Sequence, residues 1–236
     1  MKRITIFSIL LLWFLSVNAQ KQTANELLKQ FGFTTDNVLS SIDLSNVTYN
    51  YKAESVTTTE QEANHSTSTT KKEYSYDANK PLGQRFTLLS IDGDTPRNKD
   101  NKHFNKEKNS ADKTKMQKLK EDSFFIKSND ETTAIIGFNI PADQLNSKTA
   151  FMAHCTGYIY IDKKSGRITK IQIKNNEAFN LKIFHVTEMT IDINISYSEE
   201  HKAYYVNSEN TLMKVLILGS ITSFKIDEKY IDLQFN

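Results

Sequence analysis

The sequence predicts a mainly β (α+β) fold: a strongly curved antiparallel sheet of about ten strands forming an unclosed barrel, with a few helices packed in or over its concave side. Three observations predict it. Apolar and polar residues alternate over long stretches, most cleanly where Met189, Ile191, Ile193, Ile195 and Tyr197 take one side and Thr190, Asp192, Asn194 and Ser196 the other. Fourteen Phe and ten Tyr against seven Gly and three Pro is the composition of packed strands, not of a disordered chain. Third, Met189 to Tyr197 is apolar on one side only, whereas Thr133 to Ile140, Tyr158 to Ile161 and Leu212 to Leu218 are apolar on both. Such strands need cover on both faces, or a cavity on one of them.

Residues 1–19, MKRITIFSILLLWFLSVNA, read as a cleavable signal peptide. Lys2 and Arg3 form its basic head, an apolar run follows, and Val17 and Ala19 supply the small residues before the cut. The run falls short of the roughly 20 residues that span a bilayer, although an uncleaved anchor is the other reading. The expectation is an exported chain, periplasmic or secreted and soluble, with residues 20–236 forming one half-barrel domain. Lys2 and Arg3 carry the whole net charge of +2, so residues 20–236 balance to zero and a nucleic-acid partner is not indicated. Cys155 is the only cysteine, which excludes an internal disulfide.

Along the chain, NELLKQFGF (Asn25 to Phe33) puts Leu27, Leu28 and Phe31 on one helical face, with Asn25 as cap and Gly32 as stop. A second short helix is expected from Thr35 to Ile42. A strand begins near Val47, with Tyr49, Tyr51 and Ala53 on one side. Val56 to Thr70 suits a polar hairpin, and Arg85 to Ile91 a strand ending in the turn Asp92 to Pro96. Residues 96–120 hold nine basic and three acidic side chains and predict one or two surface helices with a flexible polar break near Asn109 to Ala111. His154 to Lys174 is a hairpin whose loop closes on Gly166. Further strands are expected at Ala203 to Val206, Leu212 to Leu218, Ile221 to Ile226 and Tyr230 to Phe235.

Catalytic chemistry finds little support. His154 and Cys155 are adjacent on a strand and point apart, so neither activates the other, and a lone strand cysteine is more often a small buried hydrophobe. His185 and Glu188 have a helical metal spacing but lie on a strand. No cofactor or metal is expected. The basic segment has two readings, a solvated surface or a patch for anionic headgroups or an envelope protein through Lys99, Lys102, Lys106 and Lys108.

Gly157-Tyr-Ile-Tyr-Ile-Asp-Lys-Lys-Ser-Gly-Arg-Ile-Thr-Lys-Ile, with the meander behind it and Leu89-Ser-Ile-Asp-Gly-Asp-Thr-Pro ahead of a charged helical stretch, resembles the bacterial lipoprotein-localisation carriers (LolA/LolB-like) and uncharacterised exported proteins sharing that fold. The resemblance runs from about Tyr49 to Phe235. It implies a bent, unclosed sheet whose hollow shelters acyl chains. The expected function is therefore a non-enzymatic envelope protein that binds a lipid, an acyl chain or a lipoprotein. Its apolar lining is expected at Tyr158, Tyr160, Ile171, Ile173, Met189, Ile191, Ile193 and Ile195. The alternative is a protein–protein or structural envelope module with no small ligand.

Overall fold

Thr23 opens the first helix, α1 (Ala24–Lys29), through a reciprocal capping box. Its hydroxyl accepts from the Glu26 amide at 3.1 Å while the Glu26 carboxylate accepts from the Thr23 amide at 2.8 Å. Asn25, the cap expected from sequence, instead accepts from the Thr35 amide and ties the next turn back to the helix. Gly32 takes the left-handed conformation (φ +81°) that turns the chain away, and a single 3₁₀ turn, Ser40–Ile42, follows. The computed structural model describes residues 22–42, 48–81, 83–111, 119–145, 149–181, 184–217 and 219–235. The leader, Val47 and residues 112–118 of the basic segment lie outside them.

One antiparallel sheet of eleven strands takes up most of the rest. The strands are β1 (Tyr49–Gln61), β2 (Ser66–Tyr76), β3 (Phe86–Ile91), β4 (Phe124–Asn129), β5 (Thr133–Asn139), β6 (Cys155–Asp162), β7 (Arg167–Asn175), β8 (Phe179–Leu181), β9 (Phe184–Ser198), β10 (Ala203–Ile217) and β11 (Ser220–Phe235). Their order is β3-β2-β1-β11-β10-β9-β7-β6-β5-β4, with the short β8 paired to β9, so the sheet is unclosed. The second helix, α2 (Asn98–Ala111), follows β3 and continues through the expected break at Asn109 to Ala111.

Two pairs of expected strands prove to be single ones. Ala203 to Val206 and Leu212 to Leu218 belong to β10, and Ile221 to Ile226 and Tyr230 to Phe235 belong to β11. Asn207 to Thr211 and Asp227 to Lys229 read as turns because they are polar, yet both stay inside the ladder, with Glu209 opposite Glu228.

Both helices pack on one face of the sheet. Leu27 and Leu28 of α1 are fully buried with Val38, Ile136, Ile159, Ile161 and Ile168, in a core that reaches Phe124 on β4 and Val206 on β10. At the far end Phe104 of α2 packs against Ala53, Tyr74, Tyr76, Phe86 and Leu88. A third cluster joins Cys155, Phe179, Val186, Met189 and Val215. The face that holds all three is the concave one.

Two glycines let the sheet pack against itself. Any Cβ on Gly157 would sit inside the ring of Phe138, and one on Gly137 inside the ring of Phe125. The opposite, convex face is a polar ladder, with Gln172 bonded to Asp192 (2.8 Å), Asn194 to Ser208 (2.9 Å) and Asn210 to Asp227 (2.7 Å). No described element covers that face, so the strands apolar on both sides do not owe their pattern to an outer layer.

Candidate functional site

The ladder registers sort the concave face into transverse rows. One row runs Ile126, Ile136, Ile159, Ile171, Ile193, Glu209, Glu228, Ser55, Lys72, Ile91. Its first five members are isoleucine, and the change at β10 is to carboxylates, hydroxyl and ammonium. The neighbouring row runs Phe124, Phe138, Gly157, Ile173, Ile191, Thr211, Ile226, Thr57, Thr70. Along these two rows the face is thus apolar at the β4 side and largely polar on β1 and β2.

Burial identifies the least covered part of this face. Ile173, Ile191, Thr211, Met213, Phe224 and Ile226 are all only half-buried, and Ile173, Met213 and Phe224 flank the cluster that also takes Phe151 of the 3₁₀ turn Ala150–His154. They form an apolar wall across β7, β9, β10 and β11, three strand spacings or about 14 Å wide. Thr57, Thr59 and Thr70 border it on β1 and β2.

Of the eight residues expected to line the hollow, Ile173 and Ile191 stand on this wall. Ile171, Ile193, Ile195 and Met189 share the concave face but are buried in the clusters around it. Tyr158 and Tyr160 are on the convex face, where their cross-strand partners are Gln172 and Lys170. The reason is parity: Ile159 faces the core, so its neighbours on β6 face out. Met213, Phe224 and Ile226 lie in strands the sequence does predict, but Leu212 to Leu218 is apolar on both sides, so alternation does not say which side turns inward.

A polar cluster sits at the edge of the wall. Lys108 of α2 donates from Nζ to Glu228 Oε1 (3.0 Å) and to the Tyr74 hydroxyl (3.0 Å), and Tyr74 also donates to Glu228. The same ammonium stands 4.5 Å from the Tyr74 ring centroid, with Phe104 and Phe86 at 5.9 and 6.0 Å. Lys108 therefore leaves the expected headgroup patch, for Phe104 and Lys108 are four apart and turn inward together. Lys99, Lys102 and Lys106 stay exposed. Burial, then the charge of Glu228, holds the Glu209 carboxyl above its ordinary range. Burial also pushes Tyr74 and Tyr230 far up, so both stay protonated.

The remaining reactive groups are otherwise engaged. Cys155 Sγ lies 3.6 Å from the Phe151 carbonyl, and burial pushes its thiol up to about 11. His154 Nδ1 is 2.7 Å from Glu177 and stacks on Phe179. His185 pairs with Asn180, and Glu188 with Lys214 across the sheet, so the helical spacing of His185 and Glu188 has no counterpart here. No group of three metal-ligating side chains occurs among the described residues.

No protein-family model matches the chain, and no curated protein does. Among solved structures it is similar to a LolA superfamily protein from Nitrosomonas europaea (8% identity, TM-score 0.36), with 86% of this chain and 94% of that one covered. It is also similar to a putative outer membrane lipoprotein-sorting protein domain from Vibrio parahaemolyticus (10%, 0.32, covering 84% and 88%). A DUF1329 family protein from Desulfovibrio piger compares at 9% and 0.35, covering 88% and 92%. These likenesses concern the course of the chain and not any ligand. None of the described helices is long and apolar enough to cross a membrane.

Proposed function

We propose that the protein is an exported, non-enzymatic envelope protein that holds an acyl chain, of a lipid or a lipoprotein, along the concave wall of Ile173, Ile191, Met213, Phe224 and Ile226. The supporting observation is the half-buried state of these five apolar residues on a face whose two ends are filled by α1 and α2. Isolated exposed apolar side chains need no explanation, but a contiguous strip on the inside of a bent sheet does. Burying a methylene yields about 0.8 kcal/mol, so a chain of ten or so carbons gains enough to be retained. Native mass spectrometry of the protein purified from its own envelope tests this. A retained mass that disappears on delipidation supports the reading, and a bare chain mass counts against it.

A second reading, an interaction module, rests on one observation. β4 is an edge strand with Phe125 exposed, beside a cleft of about 570 Å³ bounded by Thr23, Asn25, Glu121 and Ile126. A protein co-purifying with an apo chain, and lost on Ile126→Pro, would favour it.

A further inference from the structure

The cluster at the edge of the wall holds an ammonium group, that of Lys108. Lys108 Nζ meets two oxygens, Glu228 Oε1 and Tyr74 OH, at 3.0 Å each, and lies over the face of an aromatic ring at 4.5 Å. Carboxylate, hydroxyl and ring face together are the set that recognises an alkylammonium. The cation is supplied by a helix whose one buried apolar anchor among the described side chains is Phe104. Glu209, opposite Glu228 in register, provides a second carboxylate, which accepts from Thr211 Oγ1 at 3.5 Å.

The position relative to the wall matters. Glu228 is two residues from Ile226 on the same side of β11, and Glu209 two from Thr211 on β10, about 7 Å along each strand. A molecule whose tail lies on the wall therefore brings its polar end to the carboxylate pair.

We infer that Glu209 and Glu228, with the Tyr74 ring, form a headgroup seat for a primary ammonium, and that Lys108 fills this seat as a tethered stand-in until an ammonium-headed amphiphile displaces it. The inference rests on the acyl-chain reading above and adds to it the class of head. The groups facing the seat are Lys108 from α2, Lys72 from β2 (two strands from Glu228 in the same row), Tyr74, and Tyr51 and Tyr230 beside it. An anionic head would meet two carboxylates there and only the two lysines in compensation. Burial and the charge of Glu228 raise the Glu209 carboxyl, and the Lys108 ammonium only partly offsets them.

Three amphiphiles with one tail decide the matter: dodecylammonium, dodecyl maltoside and dodecyl sulfate, titrated calorimetrically into the purified full chain below their micelle concentrations. Dodecylammonium is expected to bind about tenfold more tightly than the maltoside, and dodecyl sulfate most weakly. Lys108→Gln, which empties the seat, should tighten dodecylammonium by about threefold or more and leave the maltoside within about twofold. Glu209→Gln should erase the preference. If Glu209→Gln does not fold, the ranking in the unmodified chain and the Lys108→Gln result still decide. Equal binding of the three, or a preference for the sulfate, overturns the seat and leaves the wall standing. Weaker dodecylammonium binding in Lys108→Gln overturns the displacement. Failure of all three to bind overturns the acyl-chain reading and the seat with it.

Discussion

Gly157 and Phe138 are opposite each other on β6 and β5, and the ring lies where a side chain at 157 would begin. Gly157→Ala must therefore drive Phe138 off its rotamer inside the main core. The expected cost is about 1–3 kcal/mol, read as a lower urea midpoint with unchanged slope. Thr23→Ala removes one half of the capping box on α1 and should cost about 1 kcal/mol in the same assay. Cys155 is a test of chemistry. With its thiol pushed up to about 11, only about a thousandth is thiolate at pH 8. Iodoacetamide should thus label the folded chain far more slowly than the urea-unfolded one, and equal rates would show that the thiol is not sheltered. Glu209 gives a pH signature. Its folded pKa lies above the unfolded value, so ionisation adds no penalty while it is protonated and a growing one as pH rises through and beyond the unfolded value. Glu209→Gln should therefore stabilise the protein at pH 7 relative to the unmodified chain, with the gain fading below about pH 4.5. A gain that persisted unchanged into acid would show that the charge of Glu209 is not its source.

Helix α2 is the element on which the polar end of the hollow depends. Phe104 is its one fully buried anchor among the described side chains, and its loss to alanine should cost about 3–5 kcal/mol, or release the helix from the sheet. Hydrogen exchange of the helix amides, fast in Phe104→Ala and slow in the unmodified chain, separates release from global unfolding. The element also shows what the sequence could express. The inward pair Phe104 and Lys108 sits in a segment so basic that its pattern reads as solvated, because a lysine is taken for surface until its acid is located 120 positions away. β9 was legible down to each face because one side is uniformly apolar and the other polar. β10 and β11 were legible only in halves. Alternation marks a strand where one face is greasy, and at Glu209 and Glu228 the concave face itself turns polar. The interruptions that broke the pattern are the residues that give the hollow its chemistry.

At the scale of the molecule, the unclosed bent sheet expected from alternation and composition is the one observed, with eleven strands instead of about ten. The candidate lining was only partly readable, because a strand apolar on both sides does not announce which face turns inward, and the cover over Ile171, Ile193 and Ile195 is set by tertiary packing. What results is an unclosed sheet with an apolar cluster under a helix at each end, leaving a half-buried strip about 14 Å wide between them. The methionines report on that strip. Met213 stands on the wall, Met189 is buried next to it, and Met152 lies on the 3₁₀ turn Ala150–His154 before β6. Methyl spectra of ¹³C-methionine-labelled protein, recorded with a spin-labelled fatty acid, therefore test the acyl-chain reading directly. Broadening strongest at Met213 and weaker at Met189 and Met152 is the predicted result. A Met213 methyl that stays sharp while the fatty acid is bound would contradict it.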